Sequence, residues 1–140
     1  MKKVFLSIPI LILLIAYQTK DKDEQIATML KIFYTNYITA ISEFNMQKMD
    51  SYLDSLKKVY CTPKLLKGIQ NEFERGELGY DPFINAQDAD KECLQTLTIK
   101  KDTLIPYYNV SYKESYSGIT VNIKLKIEKE NDSIKITDIW

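Results

Sequence analysis

An α+β domain is the architecture this sequence predicts, with helices first and an antiparallel meander after them. Two observations carry that expectation. Apolar residues recur every three or four positions over 24–45, and after residue 91 the period changes to two. Turn signals at Ser117-Gly118 and Asn131-Asp132 then separate the alternating runs into hairpins. Helices that precede a meander pack on one face of the sheet and leave the other face wet.

The elements follow in order. Ile26, Met29, Leu30, Phe33, Tyr37, Ile38, Ile41 and Phe44 form one stripe of a first helix over 24–45. Asp21 or Asp23 is placed to cap its start. A second helix is predicted over 47–58, with Met49, Tyr52, Leu53 and Leu56 on one face. Thr62 then suits an N-cap and Pro63 a first helical position, so a third helix starts there. It runs to about Glu74, burying Leu65, Leu66, Ile69 and Phe73, and Gly76 and Gly79 mark its exit. Strands are predicted over 93–100, 105–115, 119–129 and 132–139. The third is the clearest, because Ile119, Val121, Ile123, Leu125 and Ile127 alternate with Thr120, Asn122, Lys124, Lys126 and Glu128.

Before this domain stands an apolar segment. Lys2 and Lys3 precede a run of mostly apolar residues from Val4 to Ala16, and the chain turns polar from Gln18. A membrane-spanning helix needs about 20 apolar residues, so the run fits the hydrophobic region of a secretory signal better than a span. Residues 1–17 are therefore expected to be a signal or export segment, and 24–140 one domain in the periplasm or cell envelope. Leu14-Ile15-Ala16 resembles the approach to a lipoprotein cleavage site, but Tyr17 stands where the lipid-bearing cysteine would be. Cleavage by a general signal peptidase and retention as an uncleaved anchor both stay open. Only through such an uncleaved segment is contact with a membrane expected.

Composition excludes much chemistry. The 140 residues contain no histidine, which removes histidine triads, histidine general bases and histidine metal sites. Four glycines form no phosphate-cradling motif. The whole chain has a net charge of 0, and without Lys2 and Lys3 the rest stands at about −2. Such a balance gives no electrostatic footprint for nucleic acid. Cys61 and Cys93 are a candidate disulfide in an oxidising compartment, with two buried free thiols as the alternative.

The stretch from Gly76 to Lys91 is irregular and dense in functional groups. Asp81, Gln87, Asp88 and Asp90 there admit three readings: turn-forming side chains, a calcium site, or ligand recognition. The spacing departs from an EF-hand loop, since Lys91 follows Asp90 where further ligands and a glycine would be needed. Tyr108 and Tyr112 share a strand face with Val110 and are the tyrosines best placed to join Asp81, Gln87 and Asp88 as ligand-binding groups. A carboxylate paired with a tyrosine would also serve an isomerase or dehydratase. No nucleophile and base can be named, so no catalytic residue, metal or cofactor is assigned.

Three segments together, Tyr60-Cys61-Thr62-Pro63-Lys64-Leu65-Leu66, Asp81-Pro82-Phe83-Ile84-Asn85-Ala86-Gln87-Asp88 and the final Asp138-Ile139-Trp140, resemble the exported bacterial family of domain of unknown function 3828. The resemblance implies an NTF2-like cone, in which helices wrap a curved antiparallel sheet that encloses a pocket. It carries no established catalytic residues. The expected function is a ligand- or protein-binding module whose partner is a small molecule or an envelope protein, with a homodimer as a further option. The alternatives are a small-molecule isomerase or dehydratase-like enzyme with a pocket carboxylate, and an immunity or inhibitor protein.

Overall fold

The computed structural model describes the backbone of residues 8–104 and 106–140, and side chains from residue 21 onward. Lys2, Lys3 and the beginning of the export segment lie outside it. Three α-helices precede four strands: α1 Ile8–Glu43, α2 Met46–Tyr60, α3 Pro63–Glu74, then β1 Thr98–Lys101, β2 Tyr107–Lys113, β3 Thr120–Glu130 and β4 Ser133–Ile139. All neighbouring strands are antiparallel, in the order β1-β2-β3-β4. The α+β meander is therefore as expected. No described helix is long and apolar enough to cross a membrane.

Helix α1 starts earlier than its periodicity predicts. Its backbone is continuous from Ile8, so Asp21 and Asp23 lie inside the helix and cap nothing. Asp21 accepts from Gln25 one turn on, at 3.1 Å. Asp23 instead reaches the sheet, accepting from Lys101 Nζ at 2.6 Å and from Tyr108 Oη at 2.9 Å. The Lys101 hydrogen bond, more than that from Tyr108, holds the Asp23 carboxyl below the usual carboxylate range. Its folded value is depressed, so the stabilisation is complete above the unfolded value near ~4 and is lost as pH falls through the folded one. Asp23→Asn should therefore shrink the drop in melting temperature between about pH 5 and pH 3. An unchanged acid limb would remove this pair from the pH dependence.

The core-facing side of α1 buries Ile26, Leu30, Phe33, Tyr34, Tyr37, Ile38 and Ala40. These meet Tyr108, Val110 and Tyr112 of β2, Val121, Ile123, Leu125 and Ile127 of β3, and Ile136 of β4 in one cluster. The inner face of the sheet is thus filled by protein side chains. Asn45 caps α2, its Oδ1 accepting from Lys48 N–H at 3.0 Å, and Thr62 caps α3 through Leu65 N–H at 3.3 Å. Of the four apolar residues predicted to anchor α3, Leu65 is buried, Leu66 and Ile69 are half-buried, and Phe73 is exposed. Past α3 the chain turns at Gly76, whose φ of +68° suits glycine.

Two strand expectations change, and the turn at Asn131-Asp132 is as expected. Residues 91–96 form a short 3-10 helix, so Cys93 sits in that helix and β1 begins only at Thr98. Ile119 precedes β3 and is exposed, although its alternation suggests a core position. Asn131 and Asp132 both adopt positive φ, the two-residue turn that joins β3 to β4. At the free side of β4, Thr62 N–H donates to Ile136 O at 3.0 Å, while Ile139 N–H is taken by the carboxylate of Asp138 at 3.0 Å.

Candidate functional site

The five predicted binding residues do not form one site. Asp81 is a structural anchor. Its Oδ2 accepts from the buried Tyr37 hydroxyl at 2.7 Å and its Oδ1 from Phe83 N–H at 2.9 Å. Its N–H donates to Ala86 O at 2.9 Å, which closes the segment into a small loop. That loop drives Phe83 and Ile84 into the core, both almost fully buried. Tyr112 belongs to the same support, since its buried hydroxyl donates to Ile84 O at 2.6 Å. Tyr108 points elsewhere, to Asp23 on α1. Gln87 and Asp88 are exposed, and Asp88 Oδ1 accepts only the adjoining Ala89 N–H, at 2.8 Å.

Asp90 holds the start of the 3-10 helix. It accepts from Ser115 Oγ and from Cys93 Sγ, the latter at 3.5 Å, and its carbonyl takes Cys93 N–H at 3.1 Å. Asp88, Asp90, Cys93 and Glu114 line a shallow hollow of about 210 Å³ with Ser115 and Tyr116. Among the described residues no three His, Cys, Asp or Glu side chains converge as a metal-ligand group.

The two cysteines are buried free thiols. Cys61 bridges to Ile136 on β4, whereas Cys93 packs by Asp90. Burial pushes the Cys61 thiol up to about 12 and raises Cys93 as well. Neither should react with a disulfide reagent at pH 8 in the native protein, and both should react after denaturation. Rapid native labelling of either would contradict this burial.

Tyr34 is fully buried and its hydroxyl has no hydrogen-bond partner among the described residues. Burial, aided by the nearby Cys61, Asp81 and Tyr112, raises its pKa well above the ordinary phenol value. An unpaired buried hydroxyl costs about 1–3 kcal/mol. Tyr34→Phe should accordingly leave the melting temperature unchanged or raise it. A clear fall would reveal a partner for the hydroxyl.

Another recessed surface among the described residues lies between α3 and the end of β4. It is a groove of about 280 Å³. Lys64, Leu65, Gly68, Ile69 and Glu72 form its α3 wall. Leu78, Tyr80, Pro82 and Asn85 come from the following loop, and Thr137 to Trp140 from β4 and its end. Asn85 is held there by a positive φ and by donating to Asn122 O at 3.3 Å. Trp140 is pinned through its backbone, which exchanges two hydrogen bonds with Lys124, at 2.9 and 3.0 Å. Its ring lies 5.5 Å from that of Tyr107. Tyr80 and Trp140, which line the groove, remain 43% and 56% exposed. Lys64, Leu65, Pro82, Asn85 and Asp138 to Trp140 fall in the segments that carry the family resemblance, but no groove residue was among the predicted binding residues.

The fold defines a class, three helices against a four-stranded antiparallel sheet, and comparison with solved proteins agrees. A protein of unknown function from Bacteroides thetaiotaomicron aligns with a TM-score of 0.79 and 21% identity, over 89% of this chain and 95% of that one. At that identity the likeness establishes the fold alone. No protein-family model matches the chain, and no curated protein matches it.

Proposed function

We propose that this chain is an exported envelope module of the NTF2-like cone type, akin to domain of unknown function 3828, that binds a small molecule in the α3–β4 groove. The recognition surface in this reading is outside the cone, because the inner sheet face is occupied by the core. The observation that carries it is Gly68. A glycine inside a helix costs about 1 kcal/mol relative to alanine. At Gly68 a Cβ would meet nothing within 4 Å and the backbone is ordinary helix, so neither packing nor conformation calls for glycine. What the missing side chain leaves free is the groove that Gly68 lines.

The test is native mass spectrometry of the protein isolated from the envelope of its host, beside Gly68→Leu. The leucine should improve the helix and fill the groove. A bound mass on the wild type that disappears from an equally or more stable Gly68→Leu supports the reading. No bound mass on the wild type, or one retained by the variant, overturns it. The same spectra show whether residues 1–17 are removed.

A further inference from the structure

We propose that the groove is a saccharide site, taking one or two neutral polyhydroxylated rings; this rests on the groove reading above and names its ligand class. Three features select that chemistry. The first is a pair of open aromatic side chains, Tyr80 and Trp140, flanking the hollow. An aromatic ring gives a rigid apolar platform at little conformational cost, and the C–H face of a sugar ring is apolar. Trp140 is fixed in advance by its two backbone bonds to Lys124 and by the Tyr107 ring behind it.

The second feature is the charge of the rim. Lys64, Glu72 and Asp138 all line the groove, one cation with two carboxylates. A phosphate would face both acids, and an ammonium would face the lysine. A hydroxyl donates to a carboxylate and accepts from an ammonium, so a neutral polyol satisfies both signs at once. Thr137 and Asn85 add groups of the same dual character. The third feature is size. At about 280 Å³ the groove falls at the lower bound for small-molecule sites, which extends from roughly 300 Å³ upward. That admits one or two rings and excludes a large cofactor.

The sequence supplies its own reporter, because Trp140 is the single tryptophan of the chain. Cellobiose, maltose and chitobiose titrated into the full chain should produce a saturable change in tryptophan emission for at least one sugar. Gly68→Leu should abolish the change. Tyr80→Ala should weaken the affinity by about tenfold, with Tyr80→Phe retaining most of it, since the stacking ring is what contributes. Tetramethylammonium and inorganic phosphate serve as charged probes and should give no saturable response. A response to a charged probe alone overturns the saccharide class and leaves the groove reading standing. A sugar response undiminished in Gly68→Leu places binding outside the groove and overturns the proposal. Silence toward all three sugars overturns it too. The mass spectra then decide the groove reading separately, by whether a bound mass depends on Gly68.

Discussion

Asp81→Ala is expected to destabilise the domain by about 2–3 kcal/mol, whereas Asp88→Ala, seven residues on, should change it by less than ~0.5 kcal/mol. The two carboxylates look alike in sequence and do different things. Asp81 receives the Tyr37 hydroxyl at 2.7 Å and the Phe83 amide at 2.9 Å. Removing it strands a buried hydroxyl and releases the turn that seats Phe83 and Ile84. Asp88 touches only its own neighbour's amide. Urea denaturation of both variants measures the difference. The Tyr37→Phe and Asp81→Ala cycle should also show strong non-additivity, because each single change removes the same bond. Equal midpoints for the two aspartate variants would sink the anchoring role assigned to Asp81.

Phe33→Ala should cost more, about 3–5 kcal/mol. Phe33 is fully buried and its ring centre lies 5.3 Å from those of Tyr34 and Tyr37, 5.6 Å from Tyr60 and 5.7 Å from Phe83. One side chain therefore joins α1, the end of α2 and the Asp81–Ala86 loop. Truncation opens a cavity that three separate elements would have to move to close. Phe44 is a suitable control, since it is only half-buried and pairs with the exposed Tyr52. Phe44→Ala should lose clearly less in the same denaturation experiment. Similar losses at the two positions would mean that the core is not centred on Phe33.

Element types were legible in the sequence where one periodicity ran long. The stripe from Ile26 to Phe44 identified the buried face of α1, and the alternation from Val121 to Ile127 identified the inner face of β3. Tyr34 escaped because a hydroxyl-bearing ring was not expected at a fully dry position, although 30, 33, 34, 37 and 38 share one helical face. The segment before Thr98 misled for a different reason. Cys93 and Leu97 are apolar and buried, and nothing in a short run separates a strand from a 3-10 helix.

For the loop after Gly79 the turn-forming reading is the one that matches Asp81: the backbone uses Asp81 and Asn85 to turn, and Phe83 and Ile84 between them carry the loop into the core. The groove was illegible because it joins the helix and loop over 64–85 to residues 137–140, more than fifty positions away. Its one local sign was a glycine inside an otherwise ordinary helix, at Gly68.

The sheet ends have a consequence for how copies of this chain can meet. In an antiparallel ladder successive residues turn to opposite sides, so the exchange between Trp140 and Lys124 leaves Ile139 facing outward. Its amide is already satisfied by Asp138, and the Ile136 carbonyl by Thr62. At the other margin β1 has only four residues and ends in Lys100 and Lys101. The β4 margin therefore offers no uninterrupted row of vacant backbone groups to a newcomer, and the short, lysine-ended β1 is a poor template at the other. Both features work against runaway fibrillar growth through sheet extension.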